Sequence, residues 1–65
     1  MVDSLTLYNT MDHEVKVVDV NGNEHRGTVG LYESEWDSES GEAEIWFKNK
    51  MFKQSEIESI EIIDD

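Results

Sequence analysis

An Asn21-Gly22 pair between two strand-like runs is the feature that most limits how this chain can fold. The run before it, residues 14–20, carries four valines, and the run after it, residues 24–32, places His25, Gly27, Val29 and Leu31 at alternate positions. Asn-Gly is a preferred pair for the tight turn that joins two antiparallel strands. The sequence therefore predicts a β-hairpin over residues 14–32.

The rest of the chain predicts three more short strands and two helical turns. Asp3 or Ser4 can cap a helical turn in which Leu5, Tyr8 and Met11 share a face. Further strands are predicted over 43–48, 51–53 and 60–63, with a tight turn at 48–50 and a helical turn over 54–58. We expect a mainly β fold: one domain with a helical turn in residues 1–13 and a small, strongly bent five-stranded barrel over 14–63. A barrel leaves little free strand edge, which suits strands too short to cover both faces.

Size and charge limit what such a domain can bind. A chain of 65 residues is one domain, and 37 % apolar residues are enough for a small core. Its formal charge of -11 repels phosphate backbones and attracts basic surfaces, so we expect no direct DNA binding and regard RNA binding as disfavoured. The first residues lack a basic leader and no apolar run is long enough for a membrane span, so we expect no membrane contact and a cytoplasmic location.

Catalysis, cofactors and metals are not expected. The chain has no cysteine, no Gly-x-Ser-x-Gly elbow and no glycine-rich phosphate loop, and a domain this small leaves little room for a substrate pocket. In the stretch 19–23 oxygen-bearing side chains alternate, but its glycine stands at the fourth place and not the sixth, and no Glu closes a calcium loop at position 12. His13 and His25 each lie beside one glutamate, but neither has another His or any Cys near it in the sequence to complete a metal site. We predict a protein that is not an enzyme.

The stretch 33–44 is the main candidate binding site, because it puts six carboxylates in twelve residues around a tryptophan. In the functional interpretation Trp36 anchors a basic protein while the charges steer its approach. In the alternative interpretation the stretch is a solvated loop whose Trp36 folds back over the barrel. Trp46 lies opposite Ile45 and Phe47 in the alternation, and it either marks an interface of a homo-oligomer built by strand addition or closes a second small core with Tyr32. The candidate partner-binding residues are Glu33, Glu35, Trp36, Asp37, Glu39, Glu42, Glu44 and Trp46.

The C-terminal residues form a second acidic cluster. It consists of Glu56, Glu58, Glu61, Asp64 and Asp65. The two clusters hold 11 of the 16 acidic residues. On one side of the barrel they would imitate nucleic-acid phosphates. A high negative charge also keeps small proteins soluble, and the sequence leaves these two roles open.

Four segments of the chain together form a recognisable pattern: Val15-Lys16-Val17, Asn21-Gly22, Arg26-Gly27-Thr28-Val29 and the closing segment 55–62. In these segments the chain resembles small uncharacterised Sm-like (SH3-like barrel) proteins of Gram-positive bacteria and their phages, and the resemblance covers roughly residues 5–63. It implies a five-stranded barrel that often forms oligomers by strand addition. In Sm proteins an aspartate, an asparagine and an Arg-Gly pair help to build a uridine pocket. Here Glu33 and Asp37 fall near the first two positions, and residues 51–54 hold no Arg-Gly pair.

Two functions follow as expectations. The first is a non-enzymatic acidic module that binds a basic protein surface, as a nucleic-acid-mimicking inhibitor or accessory factor of phage or mobile-element origin. The second is an Sm-like RNA-binding module that acts as an oligomer through the basic turn Lys48–Lys53, with Trp46 or Phe52 stacking on bases. In the alternative interpretation these lysines only protect an edge strand from pairing with another chain.

Overall fold

The computed structural model describes residues 2–64, which form one short helix and six strands in two antiparallel sheets. The elements are α1 Ser4–Tyr8, β1 Glu14–Asp19, β2 Glu24–Thr28, β3 Leu31–Glu33, β4 Glu44–Phe47, β5 Lys50–Lys53 and β6 Ile57–Ile62, with a 3-10 turn at Gln54–Glu56. The first sheet has the order β2-β1-β6 and the second the order β3-β4-β5. The prediction of a mainly β fold with a short N-terminal helix is confirmed.

Helix α1 begins at a side-chain cap and buries a residue that the spacing did not single out. Asp3 Oδ1 accepts a hydrogen bond of 2.8 Å from the backbone N–H of Thr6, which satisfies one of the free donors of the first turn. Leu7 is fully buried, whereas Leu5 and Tyr8, which share the predicted face, remain mostly exposed. Tyr8 packs edge-on against Tyr32 with ring centroids 5.4 Å apart. The helix is thereby held against the second sheet.

The predicted hairpin is confirmed as β1 and β2. Val17 lies opposite His25 and Val18 opposite Glu24. Gly22 in the connecting turn has a φ of 86°, a backbone conformation that glycine adopts without a steric cost. The pair Asn21-Gly22 predicted the turn correctly because the positive φ that the turn requires depends on the residue type at that position alone.

The structure has six strands where five were predicted, because the second predicted strand is divided between the two sheets. The N–H of Val29 donates to the carbonyl of His13 beside β1, whereas the N–H of Gly30 donates to the carbonyl of Trp46 in β4. The chain therefore changes partner between Val29 and Gly30, and β2 and β3 form in place of one strand. Within residues 2–64 the strand ladders run only inside each sheet, so the sheets do not form a closed barrel.

The inward side chains of both sheets and of α1 form one core. Its buried members are Leu7, Val15, Val17, Val29, Ala43, Ile45, Phe47, Phe52 and Ile57. Phe47 stacks on Phe52 at 5.0 Å between ring centroids. Gly27 lies directly against Phe47, since a Cβ atom at this position would be 2.6 Å from Phe47 Cδ2. The glycine in β2 therefore permits close packing of the first sheet on the second.

Candidate functional site

The outer face of the second sheet carries two rows of side chains that point away from the core. In β4, Ile45 and Phe47 are turned inward, so Glu44 and Trp46 lie on the outer face. Across the sheet Glu44 is flanked by Glu33 and Lys53. Trp46 is flanked by Leu31 and Met51. A charged row and an apolar row thus lie side by side on this face.

The loop of residues 34–43, called here the acidic loop, is held in place by hydrogen bonds. The carbonyl of Ser34 accepts the N–H groups of Asp37 at 3.1 Å and Ser38 at 3.0 Å. The Ser40 hydroxyl donates to Glu44 Oε2 at 2.7 Å. Beyond the loop, the N–H of Gln54 donates to the carbonyl of Ala43 at 2.9 Å. These bonds tie the loop both to itself and to the second sheet.

A groove of about 590 Å³ lies between the acidic loop and the outer face of the second sheet. Its lining residues are Glu33, Asp37, Glu39, Ser40, Glu44, Trp46, Met51 and Lys53. Four of these eight residues are carboxylates, and Lys53 is the only cation among them. We call this site the acidic groove. Its volume lies in the range of clefts that bind small ligands.

Glu44 is the most unusual residue of the acidic groove, because it is an acidic residue that is almost fully buried. The residue is 5 % exposed. Its hydrogen bond from Ser40 satisfies one carboxylate oxygen. Within residues 2–64 no Lys, Arg or His nitrogen lies within 4.0 Å of this carboxylate. Burial of a carboxylate that no cation contacts is costly, so this site favours a cation supplied from outside.

The structure brings five of the eight predicted partner-binding residues together. Glu33, Asp37, Glu39, Glu44 and Trp46 line the acidic groove. The other three, Glu35, Trp36 and Glu42, do not line it.

Trp36 does not fold back over the protein. It is 87 % exposed in the turn that also carries Asp37. This position leaves its ring open to a partner beside the acidic groove.

Glu42 has a structural contact instead of a place in the groove. Its Oε1 accepts the N–H of Ser55 at 2.8 Å. This hydrogen bond lowers the pKa of the Glu42 carboxyl below its ordinary value. Glu42 therefore anchors the end of the loop.

Sequence reasoning missed three lining residues of the acidic groove. Met51 and Lys53 alternate with the buried Phe52, so the pattern of β5 contained the signal that they face outward. Ser40 carried no such signal, because its role depends on how the loop folds onto Glu44. Trp46 is 36 % exposed and lies between Leu31 and Met51, so it does not form a second core with Tyr32.

The C-terminal acidic cluster does not extend the acidic groove. Glu61 Oε1 lies 3.5 Å from Lys16 Nζ in the first sheet. Asp64 accepts the N–H of Glu14 at 3.0 Å and lies 3.1 Å from His13 Nδ1, and the N–H of Glu14 lowers the pKa of the Asp64 carboxyl. Asp65 lies outside the described residues. Of the described members, Glu58 and Glu61 lie in β6 of the first sheet, whereas the acidic groove lies on the second sheet.

The basic turn is divided in the same way. Lys48 and Lys50 line a cleft of about 260 Å³ together with Arg26 of β2. Lys53 lies at the other end of β5, in the acidic groove. Arg26 could not be connected with the lysines from the sequence, because only the packing of the first sheet against the second brings them together.

Residues 2–64 hold no group of three or more His, Asp or Glu side chains arranged to bind a metal ion. None of the helices in these residues is long and apolar enough to cross a membrane. Comparison with protein-family models, with curated proteins and with solved structures finds no match for this chain.

Proposed function

We propose that this chain is a non-enzymatic protein-interaction module that binds a basic protein surface through the acidic groove and Trp36. The observation that carries the proposal is the acidic groove itself: four carboxylates around Trp46, one of them almost fully buried. Trp36 stands next to Asp37 and is open to solvent. Large aromatic residues supply much of the energy of protein interfaces, and surrounding charges set the rate and specificity of association.

The overall charge supports the same partner class. A formal charge of -11 on 65 residues draws basic proteins toward the chain and repels nucleic acid. We further propose that the protein acts in the cytoplasm as a nucleic-acid-mimicking inhibitor or accessory factor, of phage or mobile-element origin. Its partner would then be a nucleic-acid-binding protein.

We also propose that the two sheets together form an open SH3-like barrel. If β2 and β3 are counted as one strand bent at residues 29–30, the chain has five strands, as the Sm-like resemblance implies. The order of the two sheets is then continuous through the bent strand, with β6 at one edge and β5 at the other. These features support an SH3-like barrel that is open between β5 and β6.

The proposal is tested by capture of proteins from the cells that make this chain, with two matched variants. The groove variant combines Glu33→Gln, Asp37→Asn, Glu39→Gln and Glu44→Gln. The sheet control removes the same number of charges from the first sheet and the turn before it. It combines Asp12→Asn, Glu24→Gln, Glu58→Gln and Glu61→Gln. Circular dichroism establishes that both variants are folded.

The wild type and the sheet control are expected to retain the same basic proteins at low salt and to release them at about 0.5 M salt, where the Debye length is only a few ångströms. The groove variant is expected to retain none of them. Short duplex DNA is expected to displace the captured proteins if the module occupies a nucleic-acid-binding surface. Capture that is equal for both variants, or the absence of any basic protein, would contradict the proposal.

A second function, RNA binding by an oligomer, is favoured by the cleft that collects Arg26, Lys48 and Lys50. Titration with fluorescent single-stranded RNA at physiological salt separates the two functions. The first proposal predicts no binding. Binding that is lost in Lys48→Gln/Lys50→Gln, together with an oligomer in sedimentation, would favour the second.

A further inference from the structure

We infer that the acidic groove accepts an arginine side chain of the basic partner, with the guanidinium group bound to Glu44. This inference rests on the proposed function and specifies which side chain enters the site. Its starting point is the buried Glu44 carboxylate, which has one hydrogen bond from Ser40 and no ion pair within residues 2–64.

The Ser40 hydroxyl fixes the Glu44 carboxylate before a partner arrives. A bond of 2.7 Å to Oε2 holds one oxygen and orients the carboxylate plane. Ser40 is itself positioned by its loop, since its Oγ also accepts the N–H of Glu42 at 3.3 Å. A carboxylate held in this way loses little conformational freedom on binding.

Glu33 makes the site suited to two carboxylate contacts. It lies directly opposite Glu44 in the β3–β4 ladder and lines the same groove. Like charges at directly opposed strand positions repel each other, so a cation placed between them relieves a local cost. Lys53 is the other cross-strand neighbour of Glu44, but it forms no ion pair with it within the described residues.

The groove geometry favours arginine over lysine. A guanidinium group has five N–H donors in one plane and can bind two carboxylates, whereas an ammonium group acts as a compact point charge that holds its water strongly. Trp46 and Met51 lie beside the charged row and offer an apolar surface to the planar group and the methylene stem.

The test uses short peptides of defined charge and two variants of this chain. The peptides consist of four Gly-Arg repeats, four Gly-Lys repeats or four Gly-citrulline repeats, and citrulline keeps the shape of arginine without its charge. The variants are Glu44→Gln and Glu35→Gln, which remove one charge each. Glu35 is in the same loop but does not line the acidic groove. Binding is measured by calorimetry at low salt, and the indole N–H signals of Trp46 and Trp36 are followed by NMR.

The arginine peptide is expected to bind more tightly than the lysine peptide, and the citrulline peptide is expected not to bind. Glu44→Gln should weaken arginine binding by about tenfold or more, because it removes the partner of a desolvated charge pair, whereas Glu35→Gln should weaken it by no more than about twofold. The Trp46 signal should shift more than the Trp36 signal. If Glu44→Gln fails to fold, Glu33→Gln takes its place with the same expected direction.

Two other results would overturn the inference and are distinguishable. Equal binding of the arginine and lysine peptides, weakened equally by Glu44→Gln and Glu35→Gln, would mean that the acidic surface attracts cations without a defined site, and the proposed function would stand. No binding of either cationic peptide at low salt would contradict both the inference and the proposed function.

Discussion

Gly27 and Gly30 differ sharply in what a side chain would meet, although they are close in sequence. A Cβ atom at Gly27 would lie 2.6 Å from Phe47 Cδ2, whereas a Cβ atom at Gly30 would have nothing within 4 Å. Phe47 is nearly buried and stacked on Phe52, so it cannot move aside without disturbing the core. The two sheets can therefore pack this closely only because residue 27 of β2 has no side chain.

We predict that Gly27→Ala destabilises the protein by roughly 1–3 kcal/mol, the usual cost of overpacking a core. Gly30→Ala is the matched control and should change the free energy of unfolding by less than about 0.5 kcal/mol, as surface substitutions usually do. Urea denaturation of both variants measures the difference. An equal effect of the two substitutions would mean that the sheets separate enough to accept a methyl group at Gly27.

The burial of Glu44 shows why single-residue properties of the site were only partly predictable. Alternation in β4 predicted that Glu44 faces away from Ile45 and Phe47, and it does. The same alternation predicts exposure to water, yet the residue is 5 % exposed because Ser40 and the acidic loop cover it. The path of a loop over a sheet depends on contacts distant in sequence, which a periodic pattern does not contain.

At the level of elements, Asp19 stabilises the turn between β1 and β2. Its Oδ1 accepts the N–H groups of Asn21 at 2.9 Å and Asn23 at 3.0 Å, and its Oδ2 lies 2.9 Å from His25 Nε2. These contacts, chiefly the one with His25, lower the pKa of the Asp19 carboxyl below its ordinary value of 3.8. The lowered pKa adds stability above the unfolded-state value, and this stability is lost as the pH falls through the folded-state value.

Asp19→Asn is therefore expected to lower Tm at neutral pH and to reduce the further loss of Tm between about pH 5 and pH 3. Asp12→Asn is the control, because it removes the same charge from a carboxylate that makes no hydrogen bond within residues 2–64. Thermal unfolding followed by circular dichroism at several pH values separates the two. A pH dependence in Asp19→Asn as steep as in the wild type would contradict the role given to this carboxylate.

The same turn shows which elements sequence reasoning can locate. The Asn21-Gly22 turn was predictable because its positive φ and its side-chain contacts involve neighbouring residues. The division of β2 from β3 was not, since side-chain alternation continues from Gly27 to Leu31 while the hydrogen-bond partner changes from His13 to Trp46. An exchange of partner between sheets leaves no mark in the local pattern unless a special residue is required there.

For the whole molecule, the negative charge is a cost to folding that few ion pairs offset. Residues 2–64 contain two pairs with Lys or Arg, Lys16–Glu61 and Arg26–Glu24, each at 3.5 Å and at the protein surface, with Lys16 half-buried. Such surface pairs contribute between about 0 and 1 kcal/mol. The remaining carboxylates repel one another more strongly in the compact state than in the unfolded chain. Repulsion therefore outweighs attraction in the folded protein.

We predict that adding about 0.2 M sodium chloride raises Tm, because the Debye length falls below about 10 Å and repulsion is screened more than the weak surface pairs. The groove variant should have a higher Tm than the wild type at low salt and a smaller gain from salt, because its four neutralised side chains lie around one cavity. The sheet control should keep more of the salt response, since two of its residues belong to ion pairs. Differential scanning calorimetry measures both quantities.

An unchanged or lower Tm of the wild type in salt would mean that its charges are already compensated, for example by bound cations. A higher Tm and a smaller salt response of the groove variant would instead mean that much of the repulsion lies at the acidic groove, where it lowers the stability of the free protein. A basic partner removes that repulsion when it binds, so the same carboxylates that destabilise the free protein favour the complex. A binding module can therefore keep acidic residues that repel one another and cost stability in the free state. Neutralising those residues is then expected to raise the stability of the free protein.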